Sequence, residues 1–110
     1  MGGELRLAIH TLNQDDVIYV ICFEKKLKHA KHYIGFCEDG NLQSRFARHT
    51  SGRGAKILRA CNSAGIKYKI VRVMKGDRNF ERKLKRRKNA KHLCPICNPS
   101  LNIEPYVQTD

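Results

Sequence analysis

Val17-Ile18-Tyr19-Val20-Ile21-Cys22-Phe23 is the stretch that decides the fold. An unbroken run of β-branched, aromatic and small apolar residues reads as a central strand that needs cover on at least one face. Working outward, a basic linker from Glu24 to Lys31 leads to a second short strand, His32-Tyr33-Ile34-Gly35-Phe36. A third strand is Tyr68-Lys69-Ile70-Val71-Arg72-Val73-Met74, where β-branched residues alternate with basic ones. Upstream, Leu5, Leu7 and Ile9 alternate in the manner of an edge strand. Glu38-Asp39-Gly40-Asn41 is a turn, with Asn41 or Asp39 placed to cap a helix. That helix carries Leu42, Arg45, Phe46 and His49 on one side, and Thr50-Ser51-Gly52-Arg53-Gly54 breaks it. A second helix, about 55–64, shows Ile57, Leu58, Cys61 and Ala64 as its apolar stripe and ends at Gly65. Lys75-Gly76-Asp77 turns the chain into a last helix, about 79–88, with Phe80 and Leu84 expected to face inward. The order β-β-α-α-β-α predicts an α/β (α+β) domain: a small, mostly antiparallel three-stranded sheet flanked by helices.

With 110 residues there is room for one domain and little more. No apolar run approaches the ~20 residues of a membrane-spanning helix. The first residues lack the charged-then-apolar order of a signal peptide, and Arg6 stands where a myristoylation site wants Ser or Thr. Cytoplasm is therefore the expected location. The formal charge is +12, and it is concentrated: 24–91 carries 21 of the 22 basic residues and 5 of the 10 acidic ones. A body with that field accumulates polyanions through counterion release, so nucleic acid is the expected partner. An acidic protein or an anionic membrane surface are the alternatives.

Five side chains form a set suited to phosphodiester hydrolysis: Tyr19 and Tyr33 in adjacent strands, Arg45, His49 one turn later, and Glu81. Glu81 is the sole carboxylate from Arg78 through Ile103, in a stretch otherwise dense in Lys and Arg. The reaction needs a cation on the phosphate, an activated water and charge relief on the leaving oxygen. One carboxylate can hold Mg²⁺ or Mn²⁺ with waters completing the shell, Arg45 can clamp a phosphate bidentately, and Tyr19 or His49 can take the proton of water. Gly35 permits close backbone approach. Each residue alone also has an ordinary reading. The tyrosines fit as strand residues, Arg45 as one more basic helix residue, His49 as a helix-end histidine, and Glu81 as an i,i+4 partner of Lys85.

Taken in order, Val17-Ile18-Tyr19, His32-Tyr33-Ile34-Gly35, Leu42-Gln43-Ser44-Arg45 with His49, and then Glu81 resemble the GIY-YIG nucleases. The likeness runs from Val17 to Asn89, with Val17 standing where the name motif begins with glycine. The resemblance implies a small antiparallel sheet flanked by helices, and endonucleolytic cleavage of DNA with one divalent metal, RNA remaining open as a substrate. It further implies that Glu81 is the Mg²⁺ or Mn²⁺ ligand and Arg45 the phosphate-stabilising residue. Tyr19 and Tyr33 would flank the attacking water, with His49 a proton carrier, Gly35 the close-packing glycine and Asn89 the late asparagine. On this reading 1–93 is a single GIY-YIG-like domain and 94–110 an irregular tail. The second reading is a basic nucleic-acid-binding module without catalysis, zinc-stabilised or not.

Arg82-Lys83-Leu84-Lys85-Arg86-Arg87-Lys88 reads as a phosphate-tracking surface beside the site, with Lys85 and Arg86 foremost. Lys31 belongs to a second basic group, and Arg53 and Lys56 extend the groove. Among the five cysteines, Cys22 and Cys61 read as buried small hydrophobes. Cys94-Pro95-Ile96-Cys97 is one CxxC without a second. It is either a reduced, unliganded pair or half of a structural zinc site completed by Cys37, Cys61, His29, His32 or a second chain.

Overall fold

The computed structural model describes residues 16–38 and 40–107. The edge strand expected around Leu5–Ile9 and a cap from Asp39 lie outside them. β1 (Val17–Leu27) forms a hairpin with β2 (Ala30–Cys37). Helices α1 (Leu42–Thr50) and α2 (Lys56–Ala64) follow, then β3 (Tyr68–Lys75), α3 (Arg78–Arg87) and the single turn α4 (Ala90–Leu93). A 3-10 turn at Pro99–Leu101 comes last. The sheet is antiparallel throughout with order β2-β1-β3, so the Val17–Phe23 run is central as expected.

That run is continuous because it is buried on both faces. Ile18, Val20 and Cys22 join Ile34, Phe36, Val71, Leu84 and Cys94 in one core cluster. Tyr19, Ile21 and Phe23 join Leu58, Cys61, Ile66 and Ile70 in the other. Side chains alternate along a strand, so α1 and α2 cover the Tyr19 face while α3 and the end of the chain cover the Val20 face.

Four local expectations are corrected. The basic segment after Phe23 is not a linker: β1 continues to Leu27, which pairs with Ala30 across a tight turn. Lys28 turns the chain there with φ 57°. Lys25 and Lys26 are exposed, so strand pairing and a solvated charged edge coexist. Asn41 occupies the N-cap of α1 but its side chain makes no capping bond; the side-chain cap is found instead on α3, where Asp77 accepts the Phe80 N–H at 2.9 Å. Next, α3 buries Glu81 and Leu84, while Phe80 stays 38% exposed. At 100° per residue the direction midway between Glu81 and Leu84 lies about 70° from Phe80, which leaves that ring at the helix margin over Gly76. On α2, Leu58 and Cys61 are buried, Ala64 is exposed, and Gly65 closes the helix in the left-handed conformation.

The segment from Leu93 to Tyr106 packs on the sheet. Arg72 Nη1 donates to the Leu93 carbonyl at 3.1 Å, Cys94 is fully buried, and the Tyr106 N–H reaches the Val71 carbonyl at 2.8 Å.

Candidate functional site

Among the described residues, the buried polar or charged side chains are His49 and Glu81. Burying such groups is costly unless something holds them, and both face the tyrosine pair. Tyr19 projects from the first part of β1, the central strand, towards α1, where its hydroxyl lies 2.7 Å from His49 Nε2. The ring centroids of Tyr19 and Tyr33 are 6.2 Å apart, and that of His49 is 6.0 Å from Tyr19 and 5.6 Å from Tyr33. Three rings from β1, β2 and α1 thus enclose one small volume.

Two glycines make room for it. Gly35 pairs with Tyr19 across the β1–β2 ladder, and a Cβ there would overlap the Tyr19 ring. Gly54 lies against His49, and a Cβ there would overlap the imidazole and approach His49 Cα to 2.8 Å. The Gly52–Gly54 turn therefore serves the packing of His49. The sequence offers Gly54 only as part of a turn signal; its contact is non-local along the fold.

The neighbours of His49 assign its tautomer. Its Nδ1 accepts the Ala55 N–H at 3.2 Å, so in the neutral ring the proton sits on Nε2 and is donated to the Tyr19 oxygen. Burial, then Arg45 and Arg48, lower the His49 pKa from the usual histidine range and keep the ring neutral. Tyr19 is held well above the ordinary tyrosine range, chiefly by burial and then by Tyr33, with Arg45 opposing. Tyr33 is also raised, by burial first and then by the Glu81 charge; Arg45 and a hydrogen bond from Tyr19 pull the other way. A hydrogen bond links His49 to Tyr19, with the Tyr33 ring packed beside both.

Glu81 and Arg45 are the charged groups that act on both phenols. Glu81 comes from α3, which packs against β2 and so meets Tyr33 at the sheet edge. The i,i+4 pairing anticipated from spacing is present, with Lys85 Nζ 3.3 Å from Glu81 Oε2. The same ammonium stands 5.3 Å from the centroid of the Tyr33 ring. A largely buried carboxylate beside phenols is a hard oxygen donor.

The remaining predicted residues are placed as follows. Arg53 and Lys56 are exposed in the segment that leaves His49, and Arg86 is exposed on α3. Lys31 is half-buried on β2, two residues from Tyr33 and on the same face. Asn89 lies eight residues beyond Glu81, at the N-cap of α4. Its Oδ1 is buried without a hydrogen-bond partner.

The CxxC behaves differently from the expectation. Cys94, Cys97, His32 and Cys22 form a group that could hold a metal ion. His32 was among the candidates to complete it, whereas Cys37, Cys61 and His29 are not in the group. Cys22, which the sequence presents as one more apolar strand residue, supplies the fourth position. Burial and the neighbouring Cys94 and Cys97 push its thiol up to about 12.

Among the described residues no helix is long and apolar enough to cross a membrane. Comparison of the chain with models of known protein families, with curated proteins and with solved structures finds no match.

Proposed function

We propose that this chain is a GIY-YIG-type endonuclease that hydrolyses a phosphodiester bond in DNA with one Mg²⁺ or Mn²⁺ ion. The supporting observation is that the Tyr19, Tyr33 and His49 rings pack together while Arg45 and Glu81, from α1 and α3, both act electrostatically on the two phenols, His49 and Glu81 being the buried polar or charged side chains among the described residues. Glu81 is the residue that would hold the metal; when bound, the ion supplies positive charge to the scissile phosphate and to the leaving oxygen. The soft Cys/His group on the opposite face suits a different metal.

Arg45 neutralises a non-bridging phosphate oxygen as charge builds there, and its planar fork orients the group for in-line attack. Arg45→Lys keeps the charge but loses the fork. Cleavage is expected to fall about 10- to 100-fold, on the order of the loss of one or two charge-assisted hydrogen bonds, with DNA affinity nearly unchanged. Single-turnover cleavage alongside a binding titration measures both, and an unaltered rate would remove Arg45 from the site.

The proton of the attacking water goes to the tyrosine pair. Both nitrogens of His49 are committed, Nδ1 to Ala55 and the Nε2 proton to Tyr19. His49 is therefore a positioning donor that stabilises negative charge developing on the phenols. Both phenols are shifted above their ordinary value of 10.0. The deprotonated fraction then rises about tenfold per pH unit throughout the range below that value. The single-turnover rate at saturating metal should climb with a log–log slope near one from about pH 6.5 to 9 without levelling. A plateau starting near pH 6 to 7 would instead implicate an imidazole base.

The basic surface of α3, with Lys85 and Arg86, and the Arg53–Lys56 segment would follow the DNA backbone. The deciding experiment incubates labelled duplex, branched and single-stranded DNAs and an RNA with the protein in Mg²⁺, Mn²⁺ or EDTA. Metal-dependent nicking of DNA is the expected result. Tight binding without cleavage of any form would leave the non-catalytic basic module as the function.

A further inference from the structure

On the sheet face opposite the tyrosines, Cys22 of β1, His32 of β2, and Cys94 and Cys97 of the C-terminal turn meet beside the hairpin. One ligand atom from each lies within 4.8 Å of all the others. We propose that these four side chains bind one zinc ion as three thiolates and a neutral imidazole, and that the ion fastens the end of the chain to the sheet.

The geometry fits before any metal is considered. Tetrahedral zinc with Zn–S of about 2.3 Å has S···S edges of about 3.8 Å, and the Cys22 and Cys97 sulfurs are 3.9 Å apart. Cys22 and His32 are cross-strand partners, so the β1–β2 register itself sets two of the ligands side by side. The other two come from one tight turn, in which the Cys97 N–H points at the Cys94 sulfur at 3.4 Å and the Asn98 N–H closes onto the Cys94 carbonyl at 2.8 Å. The Cys97 N–H, the one of these two donors aimed at sulfur, favours the Cys94 thiolate.

A second observation points to a missing partner. His32 Nε2 is buried and has no hydrogen-bond partner. An imidazole nitrogen shut away from water without a partner is unfavourable, and coordination removes that penalty. The donor set selects the ion: three sulfurs and one nitrogen suit zinc and disfavour magnesium. Four protein ligands leave no open position, which is the arrangement of a structural rather than a catalytic site. Binding releases three thiol protons to solvent, and the completed centre, three thiolates with one Zn²⁺, carries a net charge of −1. Lys31 and Lys91, which act electrostatically on His32, offset it. An open cavity lined by Lys26, His29, His32, Lys91 and Cys97 gives the ion access. In so small a domain such a staple adds to a limited core.

The test does not depend on the nuclease reading. The whole chain, expressed with zinc and purified without chelator, should contain one zinc per molecule by elemental analysis. Replacement by Co²⁺ should give the intense visible bands of a tetrahedral thiolate site. Cys22→Ser and Cys97→Ser should each lose stoichiometric zinc and the cobalt spectrum, while Cys61→Ser, which alters a buried cysteine outside the group, should keep both. Should a ligand variant fail to fold, the unaltered chain decides: a chelator should lower its Tm and expose three protected thiols to a thiol reagent. Metal-free protein whose thiol reactivity and Tm ignore zinc and chelator would overturn the proposal, as would a Cys22–Cys97 disulfide in the purified chain.

Discussion

Glu81→Gln should reduce DNA cleavage by at least about a thousandfold, corresponding to roughly 4 kcal/mol of transition-state stabilisation. DNA affinity should be unchanged or slightly increased. The substitution keeps the shape of a side chain that is 8% exposed and packed in the face of α3 that meets the sheet edge, so the fold should tolerate it. It removes the one negative charge that acts on both Tyr19 and Tyr33, and with it the hard oxygen donor that the proposed divalent ion would need. It also frees Lys85, now 3.3 Å from the carboxylate, to meet a phosphate, which is why binding should not suffer. The two effects separate the alternatives. Loss of cleavage with retained binding supports the hydrolase; retained cleavage would show that the metal is held elsewhere and would defeat the assignment.

Gly35→Ala should have a large effect for a single added methyl group. The added Cβ would overlap the Tyr19 ring, which lies flat across the cross-strand glycine. Tyr19 is 1% exposed and its hydroxyl is held by His49, so the ring cannot move aside without breaking that bond or displacing β2. Overpacking of this kind costs about 1–3 kcal/mol, equivalent to a fall in Tm of about 5–20 °C for a domain of this size. Cleavage should fall further than stability does, because the fraction that remains folded holds Tyr19 out of register with Tyr33 and Arg45. Calorimetry and cleavage assays on the same preparation check this. A variant with the parent's Tm and rate would mean that Tyr19 does not occupy the space above Gly35.

These two residues also show what pattern reading can and cannot reach. The central strand was legible because a strand covered on both faces has no reason to alternate, and Val17–Phe23 does not. The inward side of α1 was legible because Leu42, Arg45, Phe46 and His49 follow the helical period. The same period misled on α3. Phe80 and Leu84 are one turn apart and both apolar, yet the inward direction runs between Leu84 and Glu81. Hydrophobicity alone gives no reason to bury the acid in preference to the ring; in the fold the carboxylate lies beside the Tyr33 edge with the Lys85 ammonium 3.3 Å away. The hairpin at Lys28–His29 was equally hidden, since a lysine in the left-handed region carries none of the usual Asn-Gly or Asp-Gly signal.

The chain's composition and order by themselves determined a basic α+β domain with a central apolar strand, and named the five side chains worth watching. Those are properties of local period and of charge, which a linear sequence records. Only the tertiary structure decided which groups meet. It set the His49 proton on Nε2 through a backbone N–H six residues on, and it seated Gly54 under the imidazole. It also recruited Cys22, an unremarkable strand residue, to a turn 72 positions away in the chain. The physical reason is common to all three. Hydrogen bonds, steric exclusion and metal coordination act over a few ångströms, and no spacing rule along the chain encodes which distant atoms folding will bring that close.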